Sequence, residues 1–267
     1  MAADFLARLG SRASVPGEVR SRWGVAEYVD LLAPRDGISR DLHRLAHRRA
    51  RSLRRVDPAR VLALVSALAD PPSAELNKAR VAAAAGIPAT TLSPYVDVLV
   101  ELGLVRLVPG CRSPVAKRAI GRPRVVFEDP AVARHVAGVP AEDLLAFQGR
   151  SRLAPFLEGI VAAELLRQQP GSAVEHRVSH LRERNGLEVD LVIELPDNSV
   201  YGIEVRTASS FRPHQFDALE ALAARAGSRF RGGIVLNTAP RGHQQRPGMW
   251  GLPISCLWEW DQSGPRR

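Results

Sequence analysis

The chain has 267 residues, of which 45% are hydrophobic and 24% charged, with a formal net charge of +9. This composition allows one large or two ordinary soluble domains and excludes a disordered or low-complexity chain. Residues 1–130 carry 21 Lys and Arg against 13 Asp and Glu, a balance of +8, whereas residues 131–267 carry 16 against 15, a balance of +1. The basic first half therefore indicates nucleic acid as a partner.

Cysteine content and hydropathy set further bounds. Cys111 and Cys256 are isolated, which indicates neither a disulfide framework nor a zinc site. The first ten residues lack the apolar core of a signal peptide, and no apolar run is long enough to span a bilayer. We therefore expect a cytoplasmic protein without membrane contact. Arginine outnumbers lysine 35 to 2, a bias that a GC-rich coding sequence also produces, so arginine count alone carries little weight.

Residues 1–56 form a basic segment that predicts helices. A first helix passes through residues 20–32, and a second covers residues 40–55. The second carries Arg44, Arg48, Arg49, Arg51, Arg54 and Arg55. Such a helix either contacts phosphates or presents a solvated charged face. The spread of the arginines around the helix favours the solvated face.

Residues 57–130 predict a winged helix-turn-helix domain, because helices, a tight turn and two strands follow one another in that order. The predicted elements are a helix from Pro58 to Asp70, a short helix from Lys78, a Gly86-Ile87-Pro88 turn, a helix capped at Thr90 or Thr91, and strands at residues 104–108 and 124–129. The candidate recognition helix is not basic. Its expected exposed groups are Thr90, Thr91, Ser93 and Tyr95.

A basic loop at residues 109–123 connects the two strands and is the candidate wing. Because it lies beside the candidate recognition helix, we predict that it contacts nucleic acid. The predicted nucleic-acid-binding residues are Arg112, Lys117, Arg118, Arg122 and Arg124. A winged helix that packs only against protein neighbours is the alternative.

Residues 131–267 predict a mixed β-sheet flanked by helices. The expected order is a helix at 155–169, a strand at 173–180, a hairpin at 188–206, a helix at 213–226, a strand at 232–238 and a closing strand at 252–260. The first of these helices is apolar on most sides and contains Glu158 and Glu164. We expect Glu164 to pair with an arginine, because a buried carboxylate needs a partner.

The hairpin carries the candidate chemistry. Residues 186–206 read GLEVDLVIELPDNSVYGIEVR, two alternating runs around turn residues. Alternation places Asp190 and Glu204 side by side on neighbouring strands, with Arg206 next to Glu204. Two carboxylates and a cation suit metal-assisted phosphodiester chemistry. The alternative is the solvated face of a half-exposed sheet, where alternating charges are usual.

This arrangement resembles the core of PD-(D/E)xK nucleases. The runs FLEGIVAAELL, GLEVDLVIE and YGIEVR also resemble the domain of unknown function 4143, which forms the C-terminal part of predicted bacterial and archaeal AAA+ ATPases. The resemblance implies a restriction-endonuclease-like sheet, Mg²⁺ held by Glu158, Asp190 and Glu204, and Arg206 as the catalytic cation. The nuclease pattern has lysine where this chain has Arg206, which implies a silent or weak site, because a guanidinium is a poor copy of an ammonium.

The phosphate-binding loop of such ATPases, Gly-x-x-x-x-Gly-Lys-Ser/Thr, does not occur in the sequence. We therefore expect no ATPase activity and no nucleotide cofactor, and an ATPase subunit in trans becomes a candidate partner. Three functions follow: a nucleic-acid-binding protein with a silent nuclease-like domain, an active Mg²⁺-dependent endonuclease, or a non-catalytic interaction module of a split ATPase.

Overall fold

The computed structural model describes residues 4–10, 19–52, 56–116, 121–184 and 186–259. The chain forms two compact units. The helical unit comprises Val29–Val108 and Arg122–Ala163, and the sheet unit comprises Met1–Tyr28, Pro109–Gly121 and Glu164–Arg267. The units interleave along the chain, whereas the predicted division consists of three consecutive blocks, 1–56, 57–130 and 131–267.

The described part of the chain contains ten α-helices and nine β-strands. The α-helices are α1 (Phe5–Gly10), α2 (Val25–Asp30), α3 (Ile38–Ser52), α4 (Pro58–Ala69), α5 (Lys78–Ala84), α6 (Leu92–Glu101), α7 (Pro130–Val136), α8 (Ala141–Leu145), α9 (Arg150–Gln168) and α10 (Asp217–Ala226). The β-strands are β1 (Val19–Arg20), β2 (Val105–Val108), β3 (Arg124–Phe127), β4 (Arg177–Arg182), β5 (Glu188–Glu194), β6 (Val200–Val205), β7 (Phe230–Asn237), β8 (Arg241–Arg246) and β9 (Met249–Pro253).

The helical unit contains α4, α5 and α6 followed by the antiparallel pair β2–β3. Asp57 begins α4 as predicted, because its carboxylate accepts a hydrogen bond from the Ala59 backbone N–H at 2.9 Å. The apolar faces of the helices are buried, with Leu64, Leu92 and Leu99 fully inside. This order of elements is the one that the sequence predicted.

One expectation for α6 is wrong. Tyr95 was expected to be exposed, but it is 4% exposed. Its hydroxyl accepts a hydrogen bond from the Asp57 backbone N–H at 3.3 Å. Thr90 and Thr91 are exposed as expected, and Thr91 occupies the N-cap position of α6 as predicted. Its hydroxyl donates to the Pro88 carbonyl at 3.0 Å and makes no capping hydrogen bond.

The sheet unit contains a seven-stranded mixed sheet with the order β1-β8-β9-β7-β6-β5-β4. β7 runs parallel to both of its neighbours, β6 and β9, and the remaining pairs are antiparallel. Helix α10 packs closely on this sheet at Gly202 in β6, where a Cβ atom would lie 2.7 Å from the Leu219 side chain. Only glycine permits this approach of helix to strand.

Several parts of the sheet differ from the prediction, and one is β1, which pairs with β8 where no strand was expected. Strand β8 was not predicted, because its sequence RGHQQR lacks the apolar alternation by which strands are recognised. The closing strand was predicted to run to residue 260, but β9 ends at Pro253 and residues 254–257 form a 3₁₀ turn. Residues beyond 259 lie outside the described part of the chain.

The predicted fold class is confirmed at the level of a mixed α/β chain whose multistranded mixed sheet is flanked by helices. Among the described residues, no helix combines the length and the hydropathy that crossing a bilayer requires.

Candidate functional site

The predicted hairpin is present as β5 and β6, joined by a turn at residues 195–199. Asn198 has φ +62°, a left-handed conformation that asparagine tolerates. Asp197 accepts a hydrogen bond from the Ser199 backbone N–H at 2.9 Å and from Arg231 at 2.7 Å. The hydrogen bonds from Ser199, followed by that from Arg231, lower the pKa of Asp197 to about 2.

Three side chains meet at the other end of the hairpin. Arg206 Nη1 donates to Asp190 Oδ2 at 3.2 Å, and Arg206 Nη2 donates to Glu204 Oε2. Asp190 Oδ2 also accepts the Val205 backbone N–H at 2.9 Å. We call Asp190, Glu204 and Arg206 the Arg206 triad. One guanidinium bridges both carboxylates, so the two acids stand side by side, as strand alternation predicted.

The carboxylates of the triad are buried. Glu204 is 2% exposed and Asp190 is 8% exposed. Glu188, at the start of β5, has a side chain that is 44% exposed and lies 3.9 Å from Arg182. The solvated-face alternative therefore describes Glu188 but is wrong for Asp190 and Glu204, whose burial requires a compensating charge or a proton.

The protonation of Glu204 follows from this burial. Burial, followed by the charge of Asp190, raises the pKa of Glu204, whereas Arg206 lowers it, and the net pKa is about 8. One guanidinium balances only one carboxylate charge, so the more buried acid retains its proton at neutral pH. Among the described residues, Glu204 Oε1 has no hydrogen-bond partner.

Glu158 is engaged elsewhere. It lies on α9 within the helical unit, where its Oε2 accepts a hydrogen bond from Arg124 Nη1 at 3.0 Å. Arg124 is 6% exposed. The prediction that Arg124 contacts nucleic acid is therefore wrong, because this guanidinium neutralises a carboxylate inside the protein. Strand β3 was correctly predicted, but its first side chain, that of Arg124, points into the protein and not to the surface.

The other predicted wing residues have separate locations. Arg112 and Arg122 are exposed. Lys117 and Arg118 lie outside the described residues. Of the predicted basic set, Arg112 and Arg122 are thus the exposed members within the described part of the chain.

Glu194 has a role that the sequence did not reveal. Its Oε2 accepts the backbone N–H groups of Arg112 at 3.0 Å and of Ser113 at 2.7 Å, and its Oε1 accepts Arg177 at 2.7 Å. Nearby, the His180 backbone N–H donates to the Pro109 carbonyl at 3.0 Å. The start of the predicted wing is thus fastened to the edge of the sheet. Glu194 looked like an alternating surface acid, and nothing local in the sequence distinguishes it.

Replacing Glu194 with alanine is expected to lower the free energy of unfolding by about 2–4 kcal/mol, because two backbone N–H groups and a guanidinium lose a buried acceptor. Urea unfolding measures the loss, and hydrogen exchange at the Arg112 and Ser113 amides should become faster. Glu188→Ala on the same strand is the matched control and should change stability by less than about 0.5 kcal/mol. Equal losses in both variants would contradict the assigned role of Glu194.

Glu164 confirms its prediction. Its carboxylate accepts hydrogen bonds from Arg167 at 2.7 Å and from Gln168. Gln168 in turn donates to the Leu257 carbonyl at 2.7 Å. Glu164 thus belongs to a satisfied structural network at the end of α9.

The candidate site does not fit a divalent cation in this arrangement. Among the described residues, no group of three or more His, Cys, Asp or Glu side chains is placed to hold a metal ion. A guanidinium already bridges Asp190 and Glu204, Glu204 is largely protonated at neutral pH, and Glu158 is paired with Arg124. A hard cation such as Mg²⁺ binds through oxygen ligands that include one or two free carboxylates, and neither acid of the triad is free in this arrangement.

Two segments match known protein families. Residues 154–257 match a domain of unknown function (DUF4143). This confirms the predicted domain for the segment that holds Glu158 and the Arg206 triad. Residues 22–143 match a second domain of unknown function (DUF8612), which includes α3 and β2–β3. No curated protein and no solved structure matches the chain. The DUF4143 match thus supports the domain without assigning a reaction to the triad.

Proposed function

We propose that this chain is a nucleic-acid-binding protein whose DUF4143 domain is nuclease-like but catalytically silent. The Arg206 triad carries the proposal. Two buried acids stand where a nuclease of this kind would hold its metal ion, and both contact the guanidinium of Arg206.

The chemistry of arginine explains why the site is silent. A guanidinium is planar, keeps its charge and donates along two directions, so it bridges two carboxylates better than an ammonium does. A divalent cation would have to displace Arg206 from Asp190 and remove a proton from Glu204. Both steps oppose cation binding at neutral pH.

The charge distribution supports the nucleic-acid part of the proposal. Residues 1–130 carry a balance of +8, and Arg112 and Arg122 are exposed. Binding of a phosphate backbone to such a surface releases condensed counterions, which makes the binding free energy more favourable. DNA is the form we propose, and the resemblance to AAA+ ATPases supports an ATPase subunit in trans as a further partner.

The test combines binding with cleavage. We expect the purified chain to bind a fluorescent DNA duplex with an affinity that falls steeply with salt, and to leave supercoiled plasmid intact in Mg²⁺ or Mn²⁺. Fluorescence anisotropy and a plasmid-nicking assay measure the two properties. Absence of DNA binding at low salt would refute the binding part of the proposal, and nicking that Asp190→Ala abolishes would refute the silent site.

An active Mg²⁺-dependent endonuclease is the second candidate. Glu204 Oε1 favours it, because this buried oxygen has no hydrogen-bond partner among the described residues and could coordinate a ligand. This candidate would be established if the wild type nicks plasmid and Asp190→Ala does not. Nicking only by Arg206→Lys would instead show that the arginine is what silences the site.

A further inference from the structure

Helix α3 separates its apolar and basic side chains. Ile38, Leu42 and Ala46, spaced four residues apart, are buried. The exposed side chains along the opposite side are Ser39, Arg40, Asp41, His43, Arg44, His47 and Arg48. Of the arginines that were predicted to surround the helix, the described ones, Arg44 and Arg48, both lie on the exposed side. The side chains of Arg49, Arg51, Arg54 and Arg55 lie outside the described set.

Arg40, Arg44 and Arg48 recur every fourth residue, so they lie along one line of the helix surface. Arg44 is 3.8 Å from Asp41, and both side chains are more than half exposed. Within the described part of the chain, Arg40 and Arg48 contact no acid. These two guanidinium groups are available to a ligand.

We propose that this basic face of α3, defined by Arg40, Arg44 and Arg48, binds the phosphate backbone of nucleic acid. The inference rests on the proposed function and names the surface that performs it, in place of the wing. Eight residues of helix span about 12 Å. One strand of a DNA duplex presents a phosphate about every 3.4 Å of its axis, so this length covers about three to four phosphates and each of the three arginines can contact one.

The composition of the face favours a polyanion over other partners. A helix that lies on a membrane exposes an apolar side, but Ile38, Leu42 and Ala46 are all buried. A protein interface usually has an apolar or aromatic centre, and the exposed face of α3 has none among its described side chains. Charge alone remains as the means of recognition.

The test compares two double variants with equal loss of charge. Arg40→Gln/Arg48→Gln removes the two unpaired arginines of the face. Arg184→Gln/Arg229→Gln removes two exposed arginines of the sheet unit that also contact no acid within the described chain. Binding of a 20-base-pair fluorescent duplex is measured from 50 to 200 mM salt. We expect the slope of log affinity against log salt to fall by about 2 in the α3 variant and by less than about 0.5 in the control.

The outcomes separate this inference from the proposed function. If the wild type does not bind the duplex, the proposed function fails. If it binds and both variants lose the same amount, the α3 inference fails while nucleic-acid binding stands. Polyglutamate or anionic vesicles that compete as well as DNA at equal charge would also overturn the inference. Circular dichroism and thermal unfolding verify that both variants fold, which exposed Arg→Gln changes should permit.

Discussion

Replacing Arg206 with alanine is expected to lower the free energy of unfolding by about 1–3 kcal/mol at neutral pH, less than for a fully buried ion pair, because the Arg206 side chain is 37% exposed while the acids that lose it are buried. The substitution leaves Asp190 and Glu204 side by side in the interior, 8% and 2% exposed, without the cation that bridges them. Because Arg206 opposes the protonation of Glu204, its removal also raises the pKa of that acid further. Urea unfolding at fixed pH measures the loss.

Two companion variants make the result specific. The triple change Asp190→Asn/Glu204→Gln/Arg206→Met removes every ionisable group of the triad while keeping the approximate shapes, and should recover most of the lost stability. Arg184→Ala removes an exposed arginine of the same unit and should change stability by less than about 0.5 kcal/mol. If Arg206→Ala behaves like Arg184→Ala, the guanidinium does not neutralise the acids, and the silent-site proposal loses its basis.

Wild-type stability is expected to fall relative to that of Glu204→Gln as pH rises. The pKa of Glu204 is about 8 in the folded chain against an ordinary value of 4.5. Between these values the folded chain holds a proton that the unfolded chain has released, so raising the pH favours unfolding. The stabilising contribution is complete below pH 4.5 and is lost as pH passes through 8. One such proton corresponds to about 1.4 kcal/mol per pH unit.

Unfolding of both proteins in urea at pH 5, 6, 7 and 8 provides the measurement. Glutamine imitates the protonated acid, so the difference between the two free energies should grow by about 3–4 kcal/mol across this range. Glu188→Gln, an exposed acid on β5, is the control and should follow the wild type. Parallel curves for Glu204→Gln and wild type would show that Glu204 ionises at an ordinary pH.

The Arg206→Ala variant tests whether the guanidinium supplies the positive charge that the two acids require. The pH series with Glu204→Gln tests whether a proton on Glu204 removes the remaining negative charge. If both hold, the pair of acids is already neutralised within the chain, and a divalent cation has little electrostatic reason to bind there. Catalytic silence would then follow from the neutralisation of both acids by Arg206 and a proton.

Local patterns in the sequence were sufficient for several features. The hairpin follows from turn residues between two alternating runs, and the start of α4 at Asp57-Pro58 follows from helix-capping chemistry. The pairing of Glu164 with an arginine was predicted from a carboxylate in an apolar helix, and Arg167 three residues later meets it. All of these depend on neighbours within a few positions along the chain.

Other features depend on partners that are distant in sequence. Arg124 meets Glu158 across 34 positions, and Glu194 meets the backbone of Arg112 across 82. Neither acid differs locally from a solvated one, so the sequence pattern could not assign their partners. Strand β8 is held by backbone pairing with β9. Backbone pairing does not require apolar side chains, so the sequence of β8 gives no strand signal.

The contrast has one physical reason. Periodicity and capping record interactions between residues that are adjacent on one helix or strand, and these are written in the order of the amino acids. Burial of a charge and its neutralisation depend on which segments pack together, and only the tertiary structure brings those segments into contact. The side-by-side placement of Asp190 and Glu204 was therefore predictable from strand alternation, whereas their burial and their capture by Arg206 were decided by the folded sheet.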